Sequence, residues 1–289
     1  CLAEIQRAIR KPTDNLDVLL AGDYGNQSQS VTWSPYKVVP GSLQAMALAA
    51  CGVTPSPENT DLCIDGPQFK DRENYGLAAT INWGLSNGLT LTSITAGRRN
   101  FDDSSGDSDS LPINILNTNL SDQDIRQFSQ ELRVASPTGE RLEYVAGLYY
   151  FKMTTDQTTD QAGTFGLFPL PILNRTIDNH VVTKSQAIFG QATFHATDKL
   201  RLLFGGRYTK DSVSLDFDQY AQPGFVPIGP AVAFSDTVKE DNFSWRVGAQ
   251  YEITPVTMAY GTISRGYKGP GFNQTAVSNP LQDQRVGPE

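Results

Sequence analysis

Few residues in this sequence have the types and spacing that catalysis or metal binding requires. The acidic run DDSSGDSD at 102–109 superficially suggests a calcium site, but no glutamate follows at the offset of an EF-hand loop, and a solvated loop is the alternative. His180 and His195 are the only histidines, and we predict them at opposite strand ends, where they cannot share a metal. No Gly-x-Ser-x-Gly, phosphate loop or Cys-x-x-Cys occurs. The sequence therefore predicts no enzyme, no metal site and no bound cofactor.

The three cysteines indicate a loop disulfide instead. Cys51 and Cys63 lie in one polar, proline-rich segment and can form a bond if the compartment is oxidising. Metal binding is the weaker alternative, because no other cysteine or histidine stands beside either residue. Cys1 opens the sequence without a start methionine or a signal peptide, which suggests that the sequence begins inside a longer polypeptide.

The composition excludes two large classes of protein. The longest apolar stretches, 45–51 and 144–151, are far shorter than the roughly 20 residues of a membrane-spanning helix. Strands that cross a membrane need only about 9–11 residues, so a β-barrel remains possible. The net charge is −8 and no lysine or arginine cluster appears, which makes nucleic acid an unexpected partner.

Alternation of apolar and polar residues is the main structural signal. In 75–84 one parity carries Tyr75, Leu77 and Trp83, whereas the other is small or polar. Both parities of 142–151 are apolar, so the facing of that segment is not assigned. The predicted strands are about 2–10, 14–24, 75–84, 88–99, 126–136, 140–153, 181–196, 199–208, 243–252 and 256–268.

Short and long connections alternate strictly between these strands. The short turns are predicted at 11–14, 86–88, 136–139, 196–198 and 254–255, where Asn-Gly, Asp and Pro favour turns. The long polar segments are 25–73, 100–125, 154–180 and 211–241. This layout is typical of outer-membrane barrels, whereas a soluble sandwich would mix its loop lengths. Aromatic residues near strand ends favour a girdle at the lipid boundary: Tyr24, Tyr75, Trp83, Tyr150, Tyr208, Trp245 and Tyr251.

Three segments resemble TonB-dependent outer-membrane receptors. The first is IRQFSQELRVAS at 125–136, followed by YVAGLYYF at 144–151. The second is FGQATF at 189–194 with TDKL and GGRYT, and the third is AYGTISRGYKGPGFN at 259–273. The resemblance covers most of 125–273 and implies an all-β, antiparallel transmembrane β-barrel, of which residues 1–289 are a part. Such barrels have about 22 strands and a plugged lumen, so the plug domain, the TonB box and the C-terminal strands are expected to be absent here.

The resemblance also implies a function and candidate sites. Receptors of this family sit in the outer membrane of Gram-negative bacteria, surrounded by its lipid, and import a scarce nutrient, most often a ferric siderophore, with energy from the TonB complex. Polar residues expected to face inward are Glu131, Arg133, Arg201, Arg207, Arg246 and Arg265. They could contact an anionic cargo through bidentate arginine contacts, and the alternative is a hydrated wall that forms ion pairs with the plug.

Aromatic residues on the extracellular side are further candidates for cargo contact, with packing among the loops as the alternative. They are Trp33, Tyr36, Phe101, Phe165, Phe168, Phe225, Tyr267 and Phe272. Two other functions are compatible with parts of the pattern. A passive outer-membrane porin would need only the barrel, and a soluble secreted carbohydrate-binding protein would account for the aromatic residues and cysteines without a membrane.

Overall fold

The protein forms one large antiparallel sheet. In the computed structural model the described residues are 2–30, 37–165 and 172–288. The elements are β1 (Leu2–Thr13), β2 (Leu16–Gln29), α1 (Leu43–Ala50), β3 (Phe69–Gly84), β4 (Thr90–Ser105), β5 (Thr118–Ala135), β6 (Leu142–Gly163), β7 (Leu173–His195), β8 (Leu200–Tyr220), β9 (Val226–Pro227), β10 (Val232–Thr254), β11 (Thr257–Arg265), β12 (Gly271–Phe272) and β13 (Arg285–Val286). The ten long strands pair in chain order, and β9 adds to β7 in parallel. The all-β prediction is confirmed.

The connections alternate between short and long, as predicted. Tight hairpins join β1 to β2, β3 to β4, β5 to β6, β7 to β8 and β10 to β11, and we call this side of the sheet the turn end. Gly88 and Gly139 adopt positive φ angles of 81° and 84° in two of these hairpins, a conformation that favours glycine. The longer connections lie at the opposite side, the loop end. Within the described residues β1 pairs only with β2 and β11 only with β10, so the sheet is open.

The two faces of the sheet differ near the turn end. The face that carries Leu77, Phe204 and Val247 is called the outer face, and these three side chains are 75%, 49% and 39% exposed. The opposite face, which carries Arg207 and Arg246, is called the inner face. All seven aromatic residues proposed for a girdle lie on the outer face. An apolar surface of this extent requires a lipid or protein environment to cover it.

The apolar residues change face towards the loop end. In β8 they lie on the outer face up to Tyr208 and on the inner face from Val213 to Phe217. Strands β7 and β10 show the same change. The predicted boundaries at 181, 208 and 243 are therefore wrong, because the backbone ladder continues across the point where the apolar parity switches. The predicted loops 100–125, 154–180 and 211–241 are correspondingly shorter.

Residues 266–288 cover the inner face at the loop end. Phe272 and Val277 are buried against a cluster that includes Leu215. Gln219 is buried beside them: its amide donates to two backbone carbonyls, and its Oε1 accepts the N–H of Val277 at 2.9 Å. This segment therefore closes a core that strands β7, β8 and β10 build with their inward-facing apolar residues.

A second small core lies under the long connections. Helix α1 buries Leu48 against Val53 and Leu111, and Ser42 caps it by accepting the N–H of Ala45 at 3.1 Å. The helix was not predicted, although its Ala, Leu and Met residues favour helix formation. None of the helices in the described ranges has the length and apolarity needed to cross a membrane.

Gly163 at the end of β6 is required by the docking of the 106–117 connection. A Cβ atom there would lie 2.0 Å from the backbone oxygen of Ile115. We expect Gly163→Ala to displace the connection, at a cost of about 1–3 kcal/mol, and to remove the hydrogen bond from Phe165 N to Ile115 O. Hydrogen exchange of the Phe165 amide measures this.

The matched control for that prediction is Gly106→Ala in the same connection. An added Cβ at Gly106 meets no atom within 4 Å, so this variant should exchange like the wild type. Equal protection of Phe165 in both variants would show that the connection adapts to the extra methyl group.

Candidate functional site

A groove on the inner face brings arginines from three strands together. Its lining includes Arg207 from β8, Arg246 from β10 and Arg265 from the end of β11, together with Phe189 and Tyr267. Three of the six predicted inward-facing residues thus border one concave surface, and aromatic rings lie beside them. Guanidinium groups next to aromatic faces are suited to planar anionic ligands.

Two aromatic rings hold the guanidinium of Arg207. Its Cζ lies 5.1 Å from the ring centroid of Tyr149 and 5.8 Å from that of Phe189, within the range of cation–π attraction. Its Nε donates to Thr209 Oγ1 at 3.1 Å. Gly147 lies directly opposite Phe189, and a Cβ at that position would approach Phe189 Cζ to 2.6 Å. The glycine therefore provides the space for the ring that supports Arg207.

Arg207 and Arg246 keep their charges without a carboxylate partner. Among the described residues no Asp or Glu oxygen lies within 4 Å of either guanidinium. Arg207 is directly opposite Ser244, and Arg246 follows two positions later, so the two arginines are diagonal neighbours about 7–8 Å apart. Because arginine is always protonated, the groove presents two permanent positive charges.

Arg265 departs from its predicted facing. It is paired with Trp245, which places its Cα on the outer face, opposite to that of Arg246. It is the last residue of β11 and still borders the groove. Alternation along β11 decides the facing of Arg265. Because Ile263 lies two residues earlier, the two side chains point to the same face.

The other predicted inward residues are paired with each other or with a neighbour. Arg133 Nη1 lies 3.4 Å from Glu131 Oε1, and Arg201 Nη2 donates to Glu252 Oε1 at 3.2 Å. Both pairs are on the inner face and partly exposed, and such pairs contribute little to stability. Their positive charges are therefore already matched by carboxylates within the sheet.

Of the eight predicted loop aromatics, three lie outside the described residues and two lie in described connections at the loop end. Trp33, Tyr36 and Phe168 lie outside the described residues. Phe165 and Phe225 are in connections at the loop end and are 41% and 43% exposed. The latter two are accessible to a ligand that approaches from that side.

The remaining three loop aromatics have other surroundings. Phe101 is a strand residue on the outer face, and the guanidinium of Arg99 lies 4.2 Å from its ring centroid. Phe272 is 8% exposed within the core cluster, as the packing alternative expected. Tyr267 borders the groove, and burial together with the negative charge of Asp211 raises the pKa of its hydroxyl.

The two histidines lie far apart, as predicted. His180 Nδ1 is 2.5 Å from Asp156 Oδ1 on the outer face, whereas His195 Nε2 is 3.4 Å from Glu143 Oε1 on the inner face at the turn end. No group of three or more His, Cys, Asp or Glu side chains is placed to hold a metal ion within residues 2–30, 37–165 and 172–288.

The acidic run 102–109 is divided between a strand and a loop. Asp102 on β4 accepts from Arg72 at 2.5 Å on the inner face. Asp107 is fully buried and accepts the backbone N–H of Gly66, from the connection before β3, and those of Asp109 and Ser110 in its own loop. The donors to Asp109 are the backbone N–H groups of Leu111, Ile115 and Leu116, at 3.0, 3.1 and 2.7 Å. Burial raises the pKa of the Asp109 carboxyl. Its oxygens hold the loop together by accepting these backbone N–H groups.

We expect Asp109→Ala to loosen the 106–117 connection. The substitution leaves the backbone N–H groups of Leu111 and Leu116 without an acceptor, whereas that of Ile115 still donates to Ile113 O, and the loss of about 2 kcal/mol should speed exchange of the two amides roughly 30-fold. Asp103→Ala is the control, because Asp103 is exposed on the outer face of β4. Equal exchange in the two variants would contradict the role of Asp109.

Cys51 and Cys63 are bonded in the structure. The bond joins the end of helix α1 to the polar segment that precedes β3. It therefore ties the longest connection to the small core around Leu48.

Several residues of the groove carry a weak sequence signal. Tyr149 belongs to 142–151, in which both parities are apolar, so its facing is fixed only by the pairing of β6 with β7. Gly147 had no signal of its own. The pattern of a glycine facing an aromatic residue on the next strand is visible only in the register.

Comparison with known proteins places the chain among barrel receptors. A sequence model of the family described as "TonB dependent receptor-like, beta-barrel" matches residues 9–287. The ferric yersiniabactin uptake receptor FyuA from Yersinia pestis has a TM-score of 0.78 at 16% identity, over 99% of this chain and 40% of that one. The ferric-catecholate import receptor Fiu from E. coli K12 gives 0.60 at 14% identity, over 86% and 44%.

A further likeness is to the siderophore receptor PiuA from Acinetobacter baumannii, with a TM-score of 0.59 at 16% identity, over 92% of this chain and 42% of that one. At such identities the likeness concerns the fold alone. The chain spans less than half the length of each of these solved structures.

Proposed function

The chain belongs to the TonB-dependent receptor β-barrel family, and from that premise we propose that it forms part of the wall of an outer-membrane receptor in a Gram-negative bacterium that imports a ferric siderophore. The exposed apolar half of the outer face faces lipid in this proposal, and the inner face lines the transport route. The family is one of receptors and transporters.

The observation that carries the choice of cargo is the pair Arg207 and Arg246 on the inner face. Two guanidinium groups without carboxylate partners among the described residues, one of them within cation–π distance of two aromatic rings, favour a planar anionic ligand. Ferric chelates with carboxylate or phenolate oxygens present such groups. The three solved structures of similar fold are themselves described as receptors for ferric siderophores or as siderophore receptors.

Energy-coupled uptake through the TonB complex completes the proposal. In receptors of this kind a plug domain fills the barrel, so cargo moves only when the plug is pulled or rearranged. In this proposal the plug contacts the inner-face pairs Glu131–Arg133 and Arg201–Glu252.

The test is uptake of a panel of ⁵⁵Fe-loaded siderophores by cells that carry the full-length receptor. We expect at least one siderophore to enter when the TonB system is intact and to be excluded when it is deleted. Equal uptake in both strains would indicate a passive porin instead. Recovery of the protein in buffer without detergent would favour the soluble carbohydrate-binding alternative.

A further inference from the structure

A row of lysines crosses the outer face directly above its apolar half. Lys152 on β6 pairs with Lys184 on β7, which pairs with Ser212 on β8, which in turn pairs with Lys239 on β10. Because directly paired residues point to the same side, the three lysines form one row along the hydrogen-bonding direction, across four neighbouring strands. We call Lys152, Lys184 and Lys239 the lysine row.

The lysine row is not neutralised by the protein. Across the parts of the chain that the structure describes, no carboxylate lies within 4 Å of any of the three ammonium groups, and all three side chains are exposed. Lys210 on the same face differs, since its Nζ lies 3.7 Å from Asp241 Oδ2. Like charges placed directly opposite each other destabilise a strand pair, so the pairing of Lys152 with Lys184 calls for an external anion.

The level of the row coincides with the edge of a lipid phase. On β6 the outer face is apolar or aromatic from Leu142 to Tyr150, and Lys152 follows. Ten residues advance about 34 Å along a strand, or about 26 Å along the membrane normal at a tilt of roughly 40°. The apolar band of an outer-membrane barrel is about 25 Å tall. Phe128 lies directly opposite Lys152 and packs against Tyr150, with ring centroids 6.3 Å apart.

The charges above the row have the opposite sign. Further towards the loop end, Asp216 lies opposite His180 and Asp178 pairs with Asp218, whereas Asp156 is neutralised by Arg126. An anion is therefore repelled from the higher levels and excluded from the apolar surface below. On β4 and β5 the outer-face cations are neutralised instead, because Asp124 pairs with both Arg99 and Arg126.

We propose that the lysine row binds the phosphate groups of a phosphorylated lipid in the surrounding outer leaflet. Ammonium groups bind phosphate through charge-assisted hydrogen bonds. Three of them, spread over four neighbouring strands, can engage more than one phosphate of a single headgroup. The acyl chains then lie along the apolar outer face of β6, β7, β8 and β10. The proposal rests on the proposed membrane location of the chain, and it is independent of the cargo.

The experiment is native mass spectrometry of the full-length protein, purified in non-ionic detergent and titrated with diphosphorylated lipid A. The test variant is Lys152→Gln/Lys184→Gln/Lys239→Gln. The matched control is Lys11→Gln/Lys37→Gln/Lys199→Gln, which removes the same charge from exposed lysines away from the row. We expect the test variant to bind about tenfold more weakly or worse, and the control to bind like the wild type.

Further arms separate this proposal from its alternatives. Replacing the three lysines with arginine should retain binding, because the charge is kept, whereas dephosphorylated lipid A should bind weakly to every variant. Inorganic phosphate at equal concentration should not compete. Equal lipid affinity of the test and control variants, or full competition by free phosphate, would overturn the proposal. Failure of the proposed function would appear separately, as loss of the protein from the outer-membrane fraction or as TonB-independent uptake.

Discussion

Gln219→Leu will release residues 266–288 from the inner face of the sheet. The side chain is 1% exposed and binds three backbone groups: the carbonyls of Pro230 and Val277, at 2.8 and 2.9 Å, and the N–H of Val277. Leucine fills a similar volume but leaves all three polar groups buried without a partner. We expect a cost of about 3 kcal/mol, which should speed hydrogen exchange in 270–286 roughly 100-fold.

The control is Gln274→Leu, since Gln274 is exposed in the same segment. Gln219→Glu should release the segment at least as strongly at neutral pH, because it buries a carboxylate opposite the two carbonyl oxygens of Pro230 and Val277. Exchange rates of Gln219→Leu equal to those of the control would mean that the packing of Phe272 and Val277 holds the segment without the polar contacts.

The strand pattern was predictable where one face meets an apolar phase along its whole length. In 75–84 and 243–252 the apolar parity is constant, and both segments lie within strands of the structure. In β8 the apolar residues change from the outer to the inner face between Tyr208 and Val213. A strand predicted from one constant apolar parity therefore ends too early, at 208. The strand continues because its backbone hydrogen bonds are indifferent to which face is apolar.

The sequence predicted part of the candidate site, because alternation within a strand shows which face each polar residue occupies. Arg207 and Arg246 share one face of the sheet, as the alternation within their own strands predicts. Their proximity was not visible, since it depends on the register between β8 and β10. The neutralising partner of Arg201 was also hidden, because Glu252 is 51 residues away in sequence.

Substitution of the groove arginines should weaken binding of the siderophore identified by the uptake test. Arg207→Gln and Arg246→Gln each remove one charge and one bidentate donor, worth about 1.5–3 kcal/mol, which corresponds to a loss of about 10- to 150-fold in affinity. Arg201→Gln is the control, because that guanidinium is already engaged by Glu252. Titration of the purified full-length receptor with the ferric siderophore measures the three affinities.

The conservative variants Arg207→Lys and Arg246→Lys distinguish how the two arginines act. Arg207 is held between Tyr149 and Phe189, so its planar group is oriented before the ligand arrives, and lysine should lose nearly as much affinity as glutamine. No ring contact or ion pair orients Arg246 within the described residues, so lysine should preserve most of its contribution. If lysine restores both positions equally, the groove recognises charge alone. If neither glutamine variant differs from Arg201→Gln, the cargo binds elsewhere on the receptor.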